Sequence, residues 1–212
     1  MMDQRIKEIA LAIDEAIDNL DLDKLLTSIE LCSTYLESAI ETESPLLLYF
    51  KANAYSGLVQ AKYEAEYAWS WSQDEAIQEL LNLRLAINDP YFEKLNIVRQ
   101  CQIRTNLANR LNSLGRSVEA IEHWDKVLSA FPTFAMALGN RAYGLNNYSR
   151  WLYDYTHRSI LLSEASKGFG EAIDKEAFWD SGEDETIKAA FENRREEIEN
   201  YLDNVSYLEL LH

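Results

Sequence analysis

Leu107-Ala108-Asn109-Arg110-Leu111-Asn112-Ser113-Leu114-Gly115-Arg116-Ser117-Val118-Glu119-Ala120-Ile121-Glu122-His123-Trp124-Asp125-Lys126-Val127-Leu128-Ser129-Ala130-Phe131-Pro132 reads as two helices and the turn between them. Ala108 and Ala120 are small, as close helix crossings require. Leu107, Leu111, Leu114, Ile121, Trp124, Val127 and Leu128 are large and recur at helical spacing, so they are expected to fill the interior. Gly115 stands where a left-handed residue ending the first helix costs least in glycine. Pro132 follows the second helix and cannot continue it.

The same periodicity extends in both directions. Ile6, Ile9, Ala10, Ile13, Ala16, Ile17 and Leu20 recur at steps of three and four, and Leu25, Leu26, Ile29, Leu36 and Ile40 do so over Leu22 to Ile40. Ser44-Pro45 reads as an N-cap followed by a first-turn proline, opening a helix to about Trp69. Ser72 with Glu75 reads as a capping box for the next helix, which ends near Asn88-Asp89-Pro90. Further helices are expected over Tyr91 to Leu114, Ser117 to Ala130, Thr133 to Tyr153, Thr156 to Asp174 and Glu183 to Leu202. Only 7 Gly and 3 Pro punctuate 212 residues, against average usage of about 7% and 5%. No stretch shows the alternation of a half-buried strand. The expected fold is therefore all-α: about nine helices, packed as antiparallel hairpins because the links are short.

The pattern Leu107-Ala108, Leu111, Gly115, Ala120, Trp124, Val127, Pro132 resembles a tetratricopeptide repeat. Arg104 stands where that family favours Trp, and Val127 replaces an Ala. Weaker matches are Ala52-Asn53-Ala54-Tyr55 with Asp74-Glu75-Ala76-Ile77, and a unit beginning at Ala135 with Gly139-Asn140-Arg141-Ala142, so the resemblance covers roughly residues 45–175. It implies a right-handed solenoid whose concave face is built from the first helix of each unit. The chain then divides as one helical repeat domain over 1–212: an N-terminal hairpin (1–44), repeat units (45–175) and a C-terminal capping helix (176–212). The runs Thr105-Asn106-Leu107-Ala108-Asn109, Met136-Ala137-Leu138-Gly139-Asn140-Arg141 and Tyr153-Asp154-Tyr155-Thr156-His157-Arg158 also look like the repeat region that precedes a HEPN-type domain in a bacterial family. That resemblance implies a regulatory part of an RNase or toxin system, with the HEPN helices expected beyond residue 212.

If the family's groove is present, Asn106, Asn109, Asn140 and Asn147 lie on first helices and line it. Their amides both donate and accept, as an extended peptide backbone requires. Arg110 and Arg141 would add charge for an acidic ligand or a terminal carboxylate. The same side chains equally suit hydrogen bonding between adjacent helices. The expected function is a non-catalytic module that binds a partner protein or extended peptide. Homodimerisation through a terminal hairpin is a further option, since solenoid ends expose apolar faces unless capped.

Charge bears on what else the chain can do. The formal net charge is −16, from 36 acidic and 20 basic residues. Residues 91–158 form a basic island of nine basic and five acidic side chains between acidic flanks. Lys94, Arg99, Arg104, Arg110 and Arg116 scatter around a helix at about 100° per residue, so they make no phosphate track. Direct nucleic-acid binding is not expected. The N-terminus lacks a signal-peptide core, no apolar run approaches the ~20 residues of a membrane span, and Cys32 and Cys101 have no metal-binding spacing. A cytoplasmic protein with buried, reduced thiols follows.

No motif for metal, cofactor or nucleophilic catalysis is present, and no cofactor is expected. Arg150 with His157 and Arg116 with His123 both match the loose HEPN spacing of Arg and His, the second within the helix pair described first. In a nuclease the Arg would stabilise phosphate charge and the His would transfer protons. The other reading of Arg150 and His157 is a polar network beside Asp154, since Tyr153 to Thr156 looks like a helix break. The acids of Asp180 to Glu185 lack the glycine position of an EF-hand loop and suit the start of the following helix. Tyr63, Tyr67, Trp69 and Trp71 form either an exposed binding surface or wedges between hairpins.

Overall fold

The structure, a computed structural model, describes residues 4–66, 73–175 and 185–209. Among these residues all regular structure is helical: α1 (Gln4–Asp18), α2 (Leu22–Leu36), α3 (Glu43–Glu66), α4 (Gln73–Asn88), a 3-10 turn (Phe92–Lys94), α5 (Ile97–Ser113), α6 (Ser117–Ala130), α7 (Ala135–Ser149), α8 (Tyr155–Ile173) and α9 (Glu185–Glu209). None of these helices is long and apolar enough to cross a membrane. The chain divides into two compact units, Met1–Arg110 and Leu111–His212, so α5 belongs to the first up to Arg110. The division falls inside the segment read from sequence as one run of repeats.

In the first unit α1 packs on α2 and α3, α2 on α3, and α3 on α4. The periodicity works as local physics dictates: Ile6, Ile9, Ile13 and Ala16 turn one stripe of α1 inward, and Leu25, Ile29 and Cys32 do the same for α2. Leu26 and Ile40, expected on the buried face, are exposed. Helix α2 ends at Leu36, and the chain then turns through Glu41 at φ 45°, which takes Ile40 off the helical face. Ser44 does not cap α3. The helix starts at Glu43, whose carboxylate accepts the Ile40 N–H, while the Ser44 hydroxyl donates to Asp89 Oδ2 at 2.7 Å. The expected Tyr91–Leu114 helix is broken by the 3-10 turn, with Leu95 in extended conformation before α5 begins.

In the second unit α6 packs on α7, α7 on α8, and α8 on α9. Its core is partly aromatic: Tyr143 meets Phe169 edge-on, with ring centroids 5.0 Å apart, and Phe169 meets Phe191 at 5.5 Å. Gly139 makes room for Phe191, because a Cβ there would lie 2.1 Å from the ring. The turn between α5 and α6 forms as read. Gly115 has φ +77°, and the Arg116 N–H reaches back to the Leu111 carbonyl at 2.9 Å, as in a Schellman ending. Ala108, Ala120, Leu107, Leu111, Trp124 and Val127 are all buried, and Ile121 and Leu128 partly so. Leu114 is the exception: it is exposed at the end of the helix, where the chain turns away.

Candidate functional site

The polar side chains singled out in the sequence are largely committed within their own units. In the first, Asn106 Nδ2 donates to Asn53 Oδ1 of α3 at 3.2 Å. Arg110 donates to the Glu79 carboxylate of α4, with Nε to Oε2 at 2.7 Å. This ion pair is buried: the side chains are 14% and 7% exposed. Burial pushes the Glu79 carboxyl above its ordinary range, while Arg110 and a hydrogen bond from Ser56 pull it back. In the second, Arg141 Nε donates to Asp125 Oδ1 of α6 at 2.6 Å. Two amides are not fully used, since Asn109 Oδ1 and Asn140 Nδ2 are buried and without a hydrogen-bond partner among the described residues. Asn147 is half-buried, and its carbonyl accepts the Arg150 N–H.

Much of the basic island resolves into individual pairings. Arg99 lies over Tyr49 at 5.0 Å and beside Asp14. Arg104, which stands where the repeat family favours Trp, lies 4.9 Å over the buried Phe92 ring and 3.5 Å from Glu93. Its stem and guanidinium thus cover an aromatic face. Lys94 pairs with Glu41 and Arg116 with Glu119.

Arg150 and His157 do not share a helix. Arg150 is the C-cap of α7, and His157 sits in the first turn of α8, its N–H held by the Asp154 cap at 2.8 Å and its exposed ring beside the same carboxylate. His123 is partly buried within α6. Among the described residues no group of three or more His, Cys, Asp or Glu is placed to hold a metal ion. The two thiols are free and buried, and burial pushes Cys32 up to about 12. Tyr63 is exposed. Tyr67, Trp69, Trp71, Ser72 and the Asp180–Asp184 acids lie outside the described residues.

Two features of the second unit were not legible in the sequence, and both open at the loop between α7 and α8. A shallow groove of about 500 Å³ runs past the turn before α6, lined by Gly115, Arg116, Val118, Glu119, Tyr148 and Trp151. Trp151 is 83% exposed, Tyr153 is fully exposed and Val118 is half-exposed. A more closed cavity of about 300 Å³ lies between α7, α8 and α9, with Arg150, Arg158 and Arg194 on its walls together with Glu197, Leu162 and Ile198. The arginines are far apart in sequence and on different elements, so no spacing announces them. The exposed aromatics had a signal, a tryptophan and a tyrosine beside a helix break, but in sequence the same residues read equally well as packing. No family model, no curated protein and no solved structure matches this chain.

Proposed function

We propose that the chain is a non-catalytic interaction module built on tetratricopeptide-like hairpins stacked as a right-handed solenoid, and that it binds an extended polypeptide partner at the α7–α8 loop. The observation that carries this reading is the side-by-side placement of Arg150 and Trp151, one on the arginine cavity and the other on the shallow groove. An exposed indole next to a groove supplies large apolar contact area at little cost in conformational entropy, which is why Trp, Tyr and Arg dominate binding energy at interfaces. Charge complementarity selects a partner with an apolar residue next to an anionic one. The resemblance of residues 107–132 to the repeat family supports the architecture, as do the αL Gly115 and the buried Ala108 and Ala120. Buried thiols suit a reducing cytoplasm.

The test is capture of partners from the native host with mass spectrometry, followed by titration of the identified partner against wild type and Trp151→Ala/Tyr153→Ala. Both side chains are exposed, so folding should be unchanged by circular dichroism. Affinity should fall by about tenfold or more, as for an aromatic hot spot. Equal affinity for the two proteins would reject this surface.

A further inference from the structure

The α7–α8–α9 cavity carries three arginines and one carboxylate on its walls. Arg194 is neutralised by Glu197 and lies over the Tyr143 ring. Arg158 donates from one terminal nitrogen to the Leu152 carbonyl at 2.7 Å and from the other to Tyr201 Oη at 3.4 Å. Its Nε is buried with no acceptor, and no carboxylate among the described residues pairs with it. Arg150 is likewise without a carboxylate among the described residues. Two uncompensated guanidinium groups therefore share one small cavity in a chain with 36 acidic residues. Like charges held together cost free energy in a partly dehydrated site, and an under-used buried donor adds to that cost. A bound anion would relieve both.

We propose that this cavity is a binding site for a phosphate dianion. A phosphate monoester carries about −1.5 to −2 charge at pH 7 and three strong acceptor oxygens, which matches two guanidinium groups that lack a carboxylate partner among the described residues better than a single carboxylate does. The volume is at the low end of the range for small-ligand pockets, about 300–1,000 Å³. It suits a phosphoryl group with a short stem, the stem lying against the apolar wall of Leu162 and Ile198. The source is either free phosphate or a phosphorylated side chain of the partner. Only the second of these rests on the interaction-module reading above.

Calorimetric titration of the full chain at low salt tests the site with three probes. These are inorganic phosphate, a capped five-residue peptide with a central phosphoserine between leucines, and its unphosphorylated twin. Phosphate should bind saturably, and Arg150→Gln should weaken it by about tenfold or more, because a charge-assisted hydrogen bond is lost. Arg150 is exposed and its side chain has no partner among the described residues, so this variant should fold normally. Arg158→Gln should act in the same direction. Arginine does not titrate in this range, whereas the second phosphate proton leaves near pH 6. Binding should therefore weaken between pH 7.5 and pH 5 as the ligand gains that proton. Tighter binding of the phosphopeptide than of phosphate, weakened by Trp151→Ala, supports both this site and the partner reading. Phosphate and phosphopeptide binding equally, with no effect of Trp151→Ala, supports the anion site and rejects the partner reading for that surface. No saturable binding of phosphate or phosphopeptide, or binding unchanged in Arg150→Gln, overturns the site. So does equal affinity for the phosphorylated and unphosphorylated peptides.

Discussion

Arg110 in the first unit and Arg158 in the second are both partly buried, and each donates to a neighbouring helix or loop. Arg110 meets the Glu79 carboxylate, itself held by Ser56, and the three helices α3, α4 and α5 share one closed polar cluster. Among the described residues Arg158 meets a backbone carbonyl and a phenol but no carboxylate, and its cavity stays open. The first arrangement is complete in itself. The second has unused charge and unused donors. A polar group that is satisfied internally specifies packing, whereas one left unsatisfied in a cavity marks a place where something else can bind. The core chemistry differs in parallel: aliphatic stripes with a few rings dominate the first unit, and a Tyr143–Phe169–Phe191 cluster centres the second.

The largest expected effect breaks the closed cluster. Arg110→Ala leaves Glu79 buried without its cation and should cost about 3–5 kcal/mol in denaturant unfolding. Glu79→Gln in the same background should recover part of that loss, because no charge is then stranded. The pH dependence has a definite sign. The folded-state Glu79 carboxyl is raised above its unfolded value, so between the ordinary value of about 4.3 and the raised one the folded chain holds the extra proton. The contribution of this group to stability is thus greatest below that window and falls as pH rises through it. Without Arg110 the carboxyl is raised further. The gap between wild type and Arg110→Ala should therefore widen from pH 4 to pH 7, and a gap that narrows would contradict the buried pairing.

Gly139→Ala probes the aromatic centre of the second unit. The new methyl would overlap Phe191, which is 1% exposed and boxed in by Tyr143 and Phe169. Overpacking of this kind costs about 1–3 kcal/mol, read as a lower thermal midpoint. An unchanged midpoint would mean that α9 yields easily. Arg158→Gln sharpens the contrast with Arg110, since it strands no carboxylate and loses little beyond the bond to Leu152. The expected cost is about 1 kcal/mol. A loss as large as that of Arg110→Ala would show that Arg158 is a structural partner after all. Smallest of all is His157→Ala. The ring is exposed and the Asp154 cap bonds to backbone, so stability should stay within about 0.5 kcal/mol of wild type.

Much of the helical layout was legible because it is local. A stripe of Ile6, Ile9, Ile13 and Ala16 needs no knowledge of its partner to be a helix face, and Gly115 marks its turn because only glycine takes a left-handed φ without cost. The burial of Ala108, Ala120, Trp124 and Val127 followed from the same spacing. Periodicity misled at Ile40 and Leu114, which lie past or at a terminus where the 3.6-residue repeat no longer sets direction, and at Leu26, which lies within α2 but outside its buried stripe. The asparagines and arginines read as groove candidates were correctly placed on helices, yet their partners could not be read. Asn53 lies on α3, Glu79 on α4 and Asp125 on α6, and which polar side chain meets which is set by how each helix is rotated about its axis in the packed unit. The cavity of Arg150, Arg158 and Arg194 belongs to the same class. Its residues come from the end of one helix and the faces of two others, and only packing decides that two of the three find no carboxylate among the described residues.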